Sequence, residues 1–206
     1  MTRHEAQRNT GGSLRAWGAA LLGLALLSAC NAPPAAEEEE RIPIGGPFAL
    51  VDQTGSPVTD QDLMGRPFVV YFGFTFCPDV CPLALNRLAL ALDQLGPDAA
   101  RVQSVFITVD PERDTPAQLA LYVENYGFPS DLIGLTGDPE AVRAAADAYR
   151  VHYKKIESGD TAAPYLMEHT SVLYVMDADG RFAEVFTHAS TPEEIADGLR
   201  RTLAKG

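Results

Sequence analysis

Phe68-Val69-Val70-Tyr71-Phe72, then Gly73-Phe74-Thr75-Phe76, then Cys77-Pro78-Asp79-Val80-Cys81-Pro82, then a run containing Leu85, Leu88, Leu92 and Leu95, follow one another without interruption. The first five residues are apolar throughout, with no polar residue alternating, which predicts a strand buried on both faces. The leucines recur at the spacing that places them on one face of a helix, and Gly96-Pro97 ends it. Two cysteines therefore sit where a buried strand hands over to a helix. In open α/β folds that is the carboxyl end of a sheet strand, where ligands bind.

Outward from this unit the same alternation continues. A second strand is expected over Val105 to Val109. Thr115-Pro116-Ala117-Gln118 supplies a threonine cap, proline at the first helical position and glutamine at the third. Leu119, Tyr122, Val123 and Tyr126 form the expected buried stripe of that helix, with Gly127 as its stop. The short run Leu132 to Leu135 precedes another helix, opened by Asp138-Pro139, with Val142, Ala145 and Tyr149 facing inward. Ser171 to Met176 and Phe182 to Phe186 flank Asp177-Ala178-Asp179-Gly180, a hairpin turn. Thr191-Pro192-Glu193-Glu194 caps a closing helix with Ile195, Leu199 and Leu203 inward. Strand, helix, strand, helix, then a hairpin and a final helix is the order of an α/β thioredoxin-like fold, a central mixed sheet flanked by helices. No G-x-G-x-x-G follows any strand, so a dinucleotide-binding unit is not indicated.

At 206 residues the chain has room for one domain. The first 29 residues stand apart from it. Arg3, Arg8 and Arg15 lead into Trp17 to Ala29, an uncharged apolar run. As a helix it would rise only about 20 Å, against roughly 30 Å for a bilayer core, so residues 1–29 read as an export signal. Leu27-Ser28-Ala29-Cys30 resembles the bacterial lipobox, which makes Cys30 the expected lipidation site; an ordinary signal peptide or uncleaved anchor is the alternative, and export follows either way. Residues 30–41, with two prolines and four consecutive glutamates, read as an acidic tether, and the domain is expected over 42–206. The protein is thus expected to be membrane-anchored on the periplasmic, extracytoplasmic side.

The net charge is -12. Removing residues 1–29 leaves 13 basic against 27 acidic residues. Nothing here supplies the clustered cations that nucleic acid requires.

With Cys30 assigned to the anchor, Cys77 and Cys81 are a single pair in an oxidising compartment, where a disulfide between them can persist. At i and i+4 in a helical segment they share a face with Cα atoms about 6 Å apart, close enough to bridge or to share a metal. A helix amino terminus would favour their thiolates. A purely stabilising disulfide is a weak reason to keep them, because closing so short a loop removes little unfolded-state entropy. A thioredoxin-type redox enzyme normally uses C-x-x-C, and here three residues intervene. A peroxiredoxin-type peroxidase wants threonine three residues and proline seven residues before its cysteine, where Phe74 and Val70 stand.

Gly46-Pro47-Phe48, Tyr71-Phe72-Gly73-Phe74-Thr75, the C-P-D-V-C-P run, Val109-Asp110-Pro111-Glu112-Arg113-Asp114 and Glu168-His169-Thr170 together resemble the Sco/SenC family of copper proteins, over about Phe48 to Phe186. The resemblance implies a thioredoxin-like fold, copper bound by both cysteines and a distant histidine, and a part in assembling the dinuclear copper centre of cytochrome c oxidase. Carried over, it gives Cys77, Cys81 and His169 as ligands. Glu168 departs from the aspartate usual before that histidine. The expected partners are copper, the copper-bearing oxidase subunit, other copper carriers or thiol reductants, and the membrane through the anchor. The donor set is chemically apt on its own terms: soft thiolates suit Cu(I) and imidazole suits Cu(II), so the two together can hold both states.

Delivery of copper is the leading function, with no turnover implied; a thiol-disulfide oxidoreductase that reduces the oxidase cysteines is the alternative. Both use Cys77 and Cys81, and only the first requires His169. His152 and His188 lack a comparable context and are read as non-ligands, as is His4 in the signal segment. Met167 is read as packing rather than as a thioether ligand. Asp79 and Asp110 are placed in loops at the edge of the site.

Overall fold

The computed structural model describes residues 43–159 and 164–205. The export segment, Cys30, the tether and the expected domain start at Ile42 lie outside the described residues.

Among the described residues, nine strands and four α-helices are ordered β1 (Ala49–Asp52), β2 (Pro57–Thr59), β3 (Phe68–Gly73), α1 (Val80–Leu95), β4 (Gln103–Thr108), α2 (Pro116–Val123), β5 (Ile133–Thr136), α3 (Pro139–Ala148), β6 (Tyr153–Glu157), β7 (Tyr165–His169), β8 (Val172–Met176), β9 (Phe182–Thr187) and α4 (Pro192–Leu203). Seven strands form one mixed sheet in the order β2-β1-β5-β4-β3-β8-β9, and β6 and β7 form a separate antiparallel pair. β3, β4 and β5 run parallel, while β8 and β9 add antiparallel on one side and β1 and β2 on the other. This is the expected thioredoxin-like arrangement.

Every residue of β3 and β4 is buried, as central strands covered on both faces require. Alternation along β3 divides the core. Tyr71 and its neighbour Phe106 face α1 and α2, with Tyr122 of α2 against Phe106. Phe72 points the other way, against Tyr149 at the end of α3 and Tyr174 of β8. The leucine stripe of α1 is buried as its spacing predicts, with Leu85, Leu88, Leu92 and Leu95 all inside; each contributes about 1.5–3 kcal/mol of apolar burial.

The caps are also as expected. Thr115 Oγ1 accepts from the Gln118 N–H, and Thr191 with Glu194 forms a reciprocal capping box. At the hairpin, Asp177 Oδ1 accepts from the N–H groups of Asp179 and Arg181, and Gly180 takes φ +73°.

One expectation fails in α2. Tyr126 does not join the buried stripe; the helix ends at Val123 and Tyr126 is fully exposed. Asn125 is the reason: its backbone and side-chain N–H groups both donate to the Tyr122 carbonyl, closing the helix before Gly127 is reached. The short strands β1, β2, β6 and β7 had not been expected. Among the described residues no helix is long and apolar enough to cross a membrane.

The loops that leave β3 and β4 are tied together by one carboxylate. Thr75 donates to Asp114 from its backbone N–H (2.9 Å) and its hydroxyl (2.6 Å), and Thr108 donates its hydroxyl (2.6 Å). Asp114 is fully buried; burial raises its carboxyl above the ordinary aspartate range, against the hydrogen bonds from Thr108 and Thr75 that pull it down.

Asp114→Ala removes the acceptor of three hydrogen bonds, one from the buried Thr108 hydroxyl and two from half-buried Thr75, and is expected to cost about 3 kcal/mol of stability, read as a lower urea midpoint. A raised folded-state pKa means that protonation favours the folded chain. The stability gained this way is present below the unfolded carboxylate pKa and lost as pH rises through the raised value. Asp114→Asn should lack this pH dependence, and parallel stability profiles for the two proteins across the carboxylate range would refute it.

Candidate metal centre

Strand β3 ends on Gly73, and that glycine is what lets a sulfur lie against the sheet. A Cβ built there would sit 2.9 Å from Cys81 Sγ and 2.8 Å from the ring of Phe106. After Phe74, Thr75 and Phe76 the chain reaches Cys77, two residues ahead of the Asp79 cap of α1, and Cys81 is the second residue of the helix. Asp79 makes no side-chain capping bond. The Cys77 sulfur accepts from the Cys81 N–H instead, at 3.5 Å, so a thiol stands where a capping oxygen often does.

Both cysteines are free thiols, Cys81 with no exposure and Cys77 with 8%. The pair is electrically asymmetric. The hydrogen bond from the Cys81 thiol, helped by His169 and the helix N–H groups, holds Cys77 well below the usual thiol range. Cys81 moves the other way, because it donates to Cys77, is buried, and faces the Cys77 charge. One proton is thus shared unequally, with Cys77 as the thiolate.

His169 comes from a distant part of the chain, at the end of β7. Its partner across the β6–β7 pair is Tyr153, and the Thr170 N–H donates to the His152 carbonyl. His169 Nδ1 lies 3.1 Å from the Thr170 carbonyl oxygen. A carbonyl can only accept, so Nδ1 carries a proton, and Nε2 is the ring nitrogen that faces the sulfurs, 3.5 Å from Cys81 Sγ. Tyr71 and Phe74 meet the imidazole edge-on, at 6.2 and 5.8 Å between ring centres.

Cys77 Sγ, Cys81 Sγ and a His169 ring nitrogen all lie within 4.8 Å of one another. Three donors around one ion with bonds of about 2.3 Å lie about 4 Å apart, so one ion can reach all three after shifts of about 1 Å or less. A carbonyl bond that fixes the tautomer of the histidine is also the support a metal-binding imidazole needs. The structure therefore brings together the three residues singled out in the sequence. His152 and His188 are exposed and outside the cluster, and Met167 is buried in the core, as expected.

Asp79 is exposed, but Asp110 is not the solvated loop residue its position suggests. It is 2% exposed, pairs with Arg113 at 2.5 Å and accepts from the Tyr165 hydroxyl at 2.9 Å. Arg113 lies over the rings of Tyr165 (3.7 Å) and Phe76 (4.7 Å), joining the strand that carries His169 to the loop that carries Cys77. Sequence reasoning quoted Asp110, Arg113 and Asp114 in a motif without finding these roles, since each depends on partners far along the chain.

Comparison with known proteins agrees with this construction. The SCO1/SenC family model matches residues 36–204. The mitochondrial SCO1 homolog 1 of Arabidopsis thaliana is 43% identical over 161 residues, 78% of this chain and 47% of that protein, so the match spans about half the length of that relative. The SenC protein of Rhodobacter capsulatus is 42% identical over 156 residues, 76% of this chain and 69% of that one. Among solved structures, Bradyrhizobium japonicum ScoI with copper bound is 47% identical, covers 78% of this chain and 99% of its own, and superposes with a TM-score of 0.70. A family model covering most of the chain and relatives at this identity place the protein in the SCO1/SenC family.

Proposed function

We propose that this protein is a copper carrier that delivers copper to the dinuclear copper site of cytochrome c oxidase during its assembly, binding the ion through Cys77, Cys81 and His169. The observation that carries the reading is the convergence of two sulfurs and a tautomer-fixed imidazole within 4.8 Å. Thiolates and imidazole between them suit Cu(I) and Cu(II). Three donors also leave coordination room for a ligand from the acceptor. Family membership is what brings the oxidase into the reading.

A second reading is favoured by one observation, the asymmetry of the thiols. A depressed Cys77 beside a protonated, buried Cys81 is the pattern of an attacking and a resolving thiol, as a thiol-disulfide oxidoreductase acting on the oxidase cysteines would need. That exchange leaves the imidazole idle.

Under reducing conditions the protein is expected to bind one copper, and His169→Ala to weaken binding by about 100-fold or more, beyond what loss of an outer support costs. The Cu(II) form should show a sulfur-to-metal charge-transfer absorption requiring both cysteines. In cells short of copper, His169→Ala and Cys77→Ser should both lose oxidase copper and activity, with partial recovery on adding copper. Full oxidase activity in the His169 variant beside failure of the Cys77 variant would select the reductase.

The same proposal places the domain on the periplasmic side of a membrane, tethered through a lipidated Cys30. Mass spectrometry of the membrane-bound protein should find cleavage before Cys30 and added acyl mass; an intact amino terminus would rule the anchor out.

A further inference from the structure

Beside the donor cluster runs an open groove of about 540 Å³ whose wall includes Thr75, Cys77, Gln118, Leu121, Tyr122 and Tyr126. Cys77 is the donor that reaches it, whereas Cys81 is sealed and His169 faces a different cleft beside Lys154 and Glu168. The groove has a size that accommodates ligands. It contains no Lys, Arg, Asp or Glu, in a chain of net charge -12. A charged visitor would lose its hydration there with nothing to pair against.

The wall also offers exposed apolar side chains. Phe76, Val80 and Leu83 are exposed around the cysteine loop, Leu121 is 70% exposed, and Tyr126, which the α2 pattern would have buried, is turned fully outward. Exposed apolar groups gathered at one place mark a surface that another molecule covers, and tyrosine is a favoured anchor of such contacts.

We propose that the groove beside Cys77 seats the acceptor polypeptide, an uncharged extended segment carrying a cysteine that meets the site at Cys77 and not at His169. This rests on the copper-carrier reading and adds the face and the chemistry of the partner. Neutral walls match a neutral segment, the side-chain amide of Gln118 can pair with its backbone, and its thiolate can take the place of Cys77 on the copper, the proton of the incoming thiol passing to Cys77.

The test uses the full chain in detergent, loaded with Cu(I) under reducing conditions. The probe is an acetylated, amidated heptapeptide of Gly, Ala and Ser with a central Cys and a fluorescent label. Leu121→Glu and Tyr126→Glu, both at exposed positions, should each weaken peptide binding at least tenfold while leaving copper affinity unchanged. Lys154→Glu, in the cleft on the His169 side, should change neither. N-acetylcysteine amide, a thiol with no chain to seat, should react with all variants at the wild-type rate. If the groove variants bind the peptide normally, or Lys154→Glu is the one that fails, the proposal is wrong. Equal loss with N-acetylcysteine amide would also overturn it, by showing a disturbed Cys77 and not a lost seat. So would a wild-type self-association, seen in sedimentation, that Tyr126→Glu abolishes, since a second copy would then be the occupant. Absence of copper binding in the wild type would instead overturn the carrier reading, and the docking proposal with it.

Discussion

The fully buried carboxylate of Asp114 accepts three hydrogen bonds, and through Thr75 and Thr108 it ties the cysteine loop to the sheet. Strands β3 and β4 are held in parallel register by their own ladder, but a ladder ends where its strands end. Beyond Gly73 and Thr108 the two chains diverge, one toward Cys77 and the other toward α2. The carboxylate spans the gap from the α2 side and fixes Thr75, two residues before Cys77. Loss of that tie would free the loop while leaving the leucine stripe of α1 in place, so the position of the sulfur depends on a polar contact and not on the core alone.

Around this anchor, four residues outside the donor set give the site its geometry. Gly73 has no side chain, so Cys81 can press against the strand. Tyr71 and Phe74 set the plane of the imidazole from two sides. Arg113, stacked on Tyr165 and Phe76 and paired with Asp110, couples the β6–β7 pair to the cysteine loop. Asp110 also accepts from the Tyr165 hydroxyl and Arg113 Nη1 donates to the Tyr165 carbonyl, so the arginine is held from several sides, with only its Nη2 lacking a partner among the described residues. Its worth is therefore positional: a bare surface ion pair contributes little.

The fold was legible from local pattern wherever burial was two-sided or a cap was complete. β3, the leucine face of α1, the capping box at Thr191 and the Asp177 turn all follow from spacing and short-range chemistry. Tyr126 was misread because an i, i+3, i+4 pattern cannot register that Asn125 will close the helix first. β1, β2, β6 and β7 were missed because they are short and partly exposed, so their residues carry little apolar alternation. At the site, Cys77 and Cys81 were visible from local spacing, whereas His169 came only through resemblance, since 88 residues separate it from Cys81. Asp114, Arg113 and Asp110 stood in plain view, but their partners are 39, 52 and 55 residues away.

The donors also differ in access, and the difference bears on how an ion would leave. Cys81 has no exposure, so no incoming ligand can approach its sulfur without first displacing something else. His169 is only partly buried, but its ring is gripped by two aromatic edges and by the Thr170 carbonyl, so it can move away only by breaking that support. Cys77 sits in a loop, is slightly exposed, and is the donor whose thiolate is stabilised without metal, by helix N–H groups and the Cys81 thiol. Releasing a metal from Cys77 therefore returns the sulfur to an environment already arranged to hold its charge. Cys81 lacks that compensation, because its donation to Cys77, its burial and the neighbouring charge all oppose its thiolate.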